Sequence, residues 1–91
     1  MSGPSTSLGT GRIEIDFAPA EGAVLRMLGL VERRGFEVRG IEMAQREGQG
    51  SLALQVAPRD PSRQLAIVAA QLRRLIEVQS VSVSSPESAP L

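Results

Sequence analysis

The stretch VERRGFEVRGIEMAQ, Val31 to Gln45, decides the fold, because its hydrophobic period changes at Gly35. Behind that glycine, Val24, Met27, Leu28 and Val31 fall at i, i+3, i+4 and i+7, the stripe of an amphipathic helix. Ahead of it, apolar residues alternate, as they do in a half-buried strand. Arg33 and Arg34 stand where cations meet the negative end of a helix dipole. Gly35 is placed for the left-handed position that ends a helix. Phe36 and Val38 start the strand in one phase and Ile41 and Met43 continue it in the other, so a β-bulge is expected at Gly40.

Outward from this joint, Ile13, Ile15 and Phe17 alternate with Glu14 and Asp16 in a first strand, and the segment APAEG follows as a loop. Gly29 inside the first helix is expected to allow close packing of helix on sheet. REGQG (46–50) reads as a hairpin turn, and Leu52, Leu54 and Val56 define a third strand. Asp60 reads as an N-cap with Pro61 at the first helical position, opening a helix with its stripe at Leu65, Val68, Leu72, Leu75 and Ile76. A last strand (77–83) is buried through Val81 and Val83. The order βαββαβ predicts an α+β, ferredoxin-like fold: a four-stranded antiparallel sheet with both helices on one face, the first and third strands central. The domain is expected over 12–84, with Gly-, Ser- and Pro-rich disordered tails at 1–11 and 85–91.

The 91 residues make one domain, and their 42% hydrophobic content suffices for a modest core. Ten basic and ten acidic residues cancel, so no strong field recruits nucleic acid or an anionic membrane. No apolar run reaches the roughly 20 residues that span a bilayer, and the start of the chain has no secretory pattern. Absence of cysteine is compatible with a cytoplasmic location. His, Lys, Tyr, Trp and Asn are also missing. No serine then has a histidine or lysine to activate it, and a chain without catalytic residues of its own is expected. The two aromatics, Phe17 and Phe36, are placed for the core rather than for stacking bases on the sheet. A metallochaperone would need thiolates, and an acylphosphatase would need an arginine in the first loop.

The segment EGAVLRMLGLVERRGFEVRGIEMA resembles the first half of ACT domains, which share the loop glycine and the RRG joint. Together with QVAPRDPSRQLAIVAAQLRRLIEVQSVSV it is similar to the small subunit of acetolactate synthase (acetohydroxyacid synthase), the short isozyme II type; the likeness runs from Ile13 to Val83. That resemblance implies a regulatory subunit of branched-chain amino-acid synthesis, which binds and activates a large catalytic subunit allosterically. Thiamine diphosphate and Mg²⁺, with FAD as an optional addition, would belong to that partner. It also implies a homodimer joined through the edge strand bearing Phe36, Val38, Ile41 and Met43. A branched-chain amino acid would then lie between Pro19, Glu21, Gly22 and Ala23 of one copy and Glu37 and Val38 of the other. Valine-sensitive members carry Asn three residues before the loop glycine and again near the start of the second strand. Pro19 and Glu37 stand there in this chain, so weak or absent valine feedback is expected. Arg33, Arg34, Arg73 and Arg74 form a candidate face for the catalytic subunit, against the simpler reading of dipole complementation. A free-standing ACT-type amino-acid sensor is the competing class, and a purely structural pairing module the third.

Overall fold

A computed structural model describes residues 10–84; the expected tails, apart from Thr10 and Gly11, lie outside the described residues. Six elements follow in the order β1 (Gly11–Phe17), α1 (Ala23–Arg33), β2 (Phe36–Arg46), β3 (Gln49–Pro58), α2 (Leu65–Leu72) and β4 (Val78–Ser84). The strands form one antiparallel sheet ordered β2-β3-β1-β4, with β1 and β3 central. This is the ferredoxin-like split βαβ arrangement.

Ile13, Ile15 and Phe17 of β1 stand beside Leu54, Leu52 and Gly50 of β3 on one face, and all six are buried. Met27, Leu30 and Val31 of α1 and Val68, Ala69 and Leu72 of α2 close over that face. Phe17 and Phe36 are both core residues. The ring of Phe17 fills the space above Gly50, where any Cβ would collide with it.

The joint at Gly35 is built as its sequence indicates. The amide of Arg34 donates to Leu30 O (3.1 Å) and that of Gly35 to Glu32 O (3.1 Å), and Gly35 turns left-handed at φ 95°. The register then slips between Val38 and Gly40, leaving Arg39 as the extra residue of a bulge. Glu47 and Gly48, at φ 49° and 79°, form the two-residue turn of a hairpin whose twist suits the flanking strands.

Four expectations are corrected. Asp60 does not cap α2: its carboxylate accepts the Ser62 amide at 2.9 Å and closes an isolated turn, and extended Gln64 (φ −125°, ψ 131°) separates that turn from the helix at Leu65. Ile76 is 98% exposed, because the chain past Leu72 continues in i→i+3 turns that rotate it off the apolar stripe. Val83 lies on the covered side of the outermost strand but is exposed, whereas Val81 is buried. Gly29 is not pressed on the sheet, since a Cβ there would meet only the guanidinium of Arg33, at 3.2 Å.

Candidate functional site

The residue before β4, Glu77, ties down both the start of the β1–α1 loop and the first turn of α1. The Ala18 amide donates to Glu77 O at 2.8 Å, and the Arg26 guanidinium donates to Glu77 Oε2 through Nε (2.8 Å) and Nη2 (2.7 Å). Among the described residues Glu77 is the buried charged side chain, 7% exposed. The hydrogen bonds from Arg26, its own backbone amide and the Arg26 charge hold its carboxyl below the usual glutamate range, against the opposing effect of desolvation. Arg26 and Glu77 are 51 positions apart, so no local pattern announced the pair.

Gly22 takes the left-handed conformation (φ 77°) at the start of α1 and offers no side-chain cap. The Ala23 amide turns back to Ala20 O, and the Arg26 amide bonds Gly22 O. The intervening amides of Val24 and Leu25 find no backbone acceptor among the described residues. Pro19 is half-buried and has no N–H to give; Glu21 is exposed beside it.

Glu37 and Val38 do not meet this loop within one chain. Phe17, at the loop end, pairs with Gly50, whereas Val38 pairs with Val56. Six residue steps along β3 separate the two ends, a rise of roughly 20 Å. Glu37 is exposed and accepts Arg39 Nε at 3.3 Å.

β2 is an edge strand. Ile41 and Met43 pair with Leu54 and Leu52 on the helix-covered side, yet they are 52% and 53% exposed. Phe36 is buried and Val38 half-buried. Arg26 points to Glu77 at the β4 side, so Val24 and Leu28, each two residues or about 200° around the helix, turn to the β2 flank. Leu25 next to them is 75% exposed. The edge strand and this flank of α1 thus form one apolar margin.

The four candidate partner-face arginines divide between the two ends of the sheet. Arg33 and Arg34 precede Phe36, which pairs with Pro58; Arg73 and Arg74 precede Val78, which pairs with Phe17 and so lies at the Gly50 end. Eight residue steps along β3, roughly 26 Å, lie between those ends. Arg73 is moreover engaged: its Nη2 donates to Val81 O at 2.9 Å.

A cavity of about 370 Å³ lies elsewhere, on the open face of the sheet. Arg12 bridges Glu14 (2.7 Å) and Glu42 (3.7 Å) there, the hydrogen bond it donates to Glu14 leading the upward shift of its guanidinium, and Ser80 Oγ donates to Asp16 at 2.9 Å. That face carries no aromatic among the described residues, nor do three or more of their acidic side chains gather as a metal site.

A sheet covered by two helices on one side, with a glycine-opened loop and an apolar edge strand, defines the frame of a small α+β module. A family model described as the ACT domain matches residues 19–81, and the chain belongs to that family. ACT domains are regulatory rather than catalytic modules. Solved structures share the fold. The ACT domain from GTP pyrophosphokinase of Chlorobium tepidum is similar at TM-score 0.70 and 17% identity, over 84% of this chain and 97% of that one. The C-terminal domain of the MgtC protein from Mycobacterium tuberculosis gives 0.72 and 16%, over 96% and 97%. A homoserine dehydrogenase from Thiobacillus denitrificans gives 0.68 and 10%, over 85% of this chain but 17% of that enzyme. Among curated proteins none matches the sequence. Among the described residues no helix is long and apolar enough to cross a membrane.

Proposed function

We propose that this chain works as a dimeric ACT regulatory subunit that binds and activates a separate catalytic subunit, that of acetolactate synthase, in branched-chain amino-acid synthesis. Membership of the ACT family across residues 19–81 carries the regulatory reading; the likeness of the segments ending LRRLIEVQSVSV to isozyme II small subunits names the partner. Thiamine diphosphate, Mg²⁺ and any FAD belong to that partner, and this chain contributes intersubunit binding energy that favours the partner's active arrangement.

Geometry supports a pair of copies joined at β2. Two β2 strands side by side and antiparallel set the loop end of one copy beside the Glu37–Val38 end of the other, which a single chain keeps roughly 20 Å apart. The pairing also covers Ile41 and Met43 and supplies partners to an open strand edge. In that arrangement the bare amides of Val24 and Leu25 are the donors for an amino-acid carboxylate. Pro19 adds no donor, and Glu37 repels a carboxylate, so valine feedback is weak or absent.

The test is acetolactate formation by the separately purified catalytic subunit, with and without this chain and then with valine. Stimulation that valine leaves unchanged is the expected result. Failure to stimulate or to form a complex leaves a free-standing ACT amino-acid sensor as the function, and tight stoichiometric valine binding by calorimetry overturns the insensitive site.

A further inference from the structure

The two edges of the sheet are treated differently. β2 carries Glu37, Arg39, Glu42 and Arg46 and is bent by its bulge, whereas β4 (VQSVSVS) has neither a charge nor a proline along its length, and its own bulge, at Gln79, lies before the run Ser80–Ser84. Charged side chains, prolines and bulges are the usual means by which natural sheets discourage strand addition. Over Ser80–Ser84 that protection comes from outside the strand. The backbone groups of an antiparallel strand point alternately toward and away from its neighbour. The Val81 carbonyl receives the guanidinium of Arg73, at the end of α2, and so is directed away from β1; Val83, two residues on, is directed the same way. Arg73 forms no ion pair among the described residues, and Val81 O is the one side-chain hydrogen-bond partner it has there.

The strand is also complementary to itself. Ser80-Val81-Ser82-Val83-Ser84 reads the same in both directions. An antiparallel copy placed by a two-fold axis at Ser82 sets Val81 against the second copy's Val83 and Ser80 against its Ser84, apolar with apolar and polar with polar. In that register Val81 and the second copy's Val83 exchange their outward N–H and C=O groups. The acceptor that this exchange requires is the one Arg73 occupies.

We propose that the β4 edge is a strand-pairing surface for a second copy of this chain, held closed by Arg73. Removal of the guanidinium frees the Val81 carbonyl and opens the edge. This surface is independent of the β2 pairing: it pairs two unassembled chains, and a β2-paired dimer, which exposes two β4 edges, is extended by it into longer assemblies.

The chain has no cysteine, so Ser82→Cys in the full-length protein places a single thiol on the two-fold axis. Disulfide formation under mild oxidation then reports this register, and light scattering reports the mass. Four proteins are compared: Ser82→Cys alone and combined with Arg73→Ala, Arg73→Lys or Arg74→Ala. Arg73→Ala is expected to speed cross-linking roughly tenfold or more, the worth of a hydrogen bond from a charged donor, and to raise the mass to at least twice that of the parent. Arg74→Ala is expected to match the parent, and Arg73→Lys to retain most of the protection. Circular dichroism checks the fold, and Arg73→Met, which keeps the aliphatic stem, takes the place of Arg73→Ala if the latter does not fold. Equal cross-linking rates for the Arg73 and Arg74 variants overturn the proposal, as does a parent that cross-links as fast as the Arg73 variant.

Discussion

Glycine separates two kinds of constraint in this protein. Gly35 is left-handed, and a side chain there would meet both backbone strain and the overlying stem of Arg63. Gly35→Ala is expected to cost about 1–3 kcal/mol, read as a lower midpoint in urea or thermal unfolding. Gly29 has neither constraint, with only the movable end of Arg33 nearby. Gly29→Ala is expected to stabilise α1 by about 0.5–1 kcal/mol in the same measurement. The Arg26–Glu77 pair gives a pH dependence whose sign is fixed. Glu77 ionises more readily in the folded chain than in the unfolded one, so the unfolded chain binds more protons in the window between the two values. The stabilisation is full above the ordinary glutamate value and fades as the pH falls through the lower folded-state value. Arg26→Met is expected to lower the melting temperature at neutral pH and to flatten its decline on acidification, followed by thermal melts down to about pH 2.

At the scale of the element, the β2 bulge lets one strand serve two surfaces. Ahead of it Phe36 belongs to the core; past it Ile41 and Met43 stay on the covered side rather than alternating onto the open face. Deletion of Arg39 removes the extra residue and leaves an unbroken register in which Val38, Gly40 and Ile41 face Val56, Gln55 and Leu54, so both halves of β2 keep their face. The expected change in stability is about 1 kcal/mol or less, seen as a nearly unchanged urea midpoint. This bulge was legible because a single glycine stood at a phase change between two unambiguous alternations. The start of α2 was not legible in the same way: Asp-Pro-Ser makes an Asx-type turn with the same residues that make a helix cap, and only the extended backbone of Gln64 decides between them. The arginine face was misjudged for a related reason. Spacing along the chain places Arg33–Arg34 and Arg73–Arg74 at equivalent helix ends, but the helices run in opposite directions, so the pairs separate. Only the topology shows this, just as only the topology joins Arg26 to Glu77.

At the scale of the molecule, the prediction concerns assembly. Lysine at Ile41 or Met43 adds a charge to a side chain that is already half exposed, so the isolated fold is expected to survive. If β2 pairs with β2, the same charge meets its own copy across the two-fold axis. Ile41→Lys with Met43→Lys is expected to convert a dimer to a monomer in analytical ultracentrifugation, with an unchanged circular dichroism spectrum. A wild-type monomer at every concentration would count against the pairing and against the two-chain effector site together.

The central place of β1 has a consequence for synthesis on the ribosome. The first strand made is flanked by the third and the last, and Arg12 must wait for Ser84 before its row is complete. Until then a nascent chain carries Ile13, Ile15 and Phe17 on a ribbon with an open side. A message cut short before Val78 therefore yields a sticky fragment with a bare central strand rather than a smaller domain, and vectorial folding of this domain is completed only once β4 has been made.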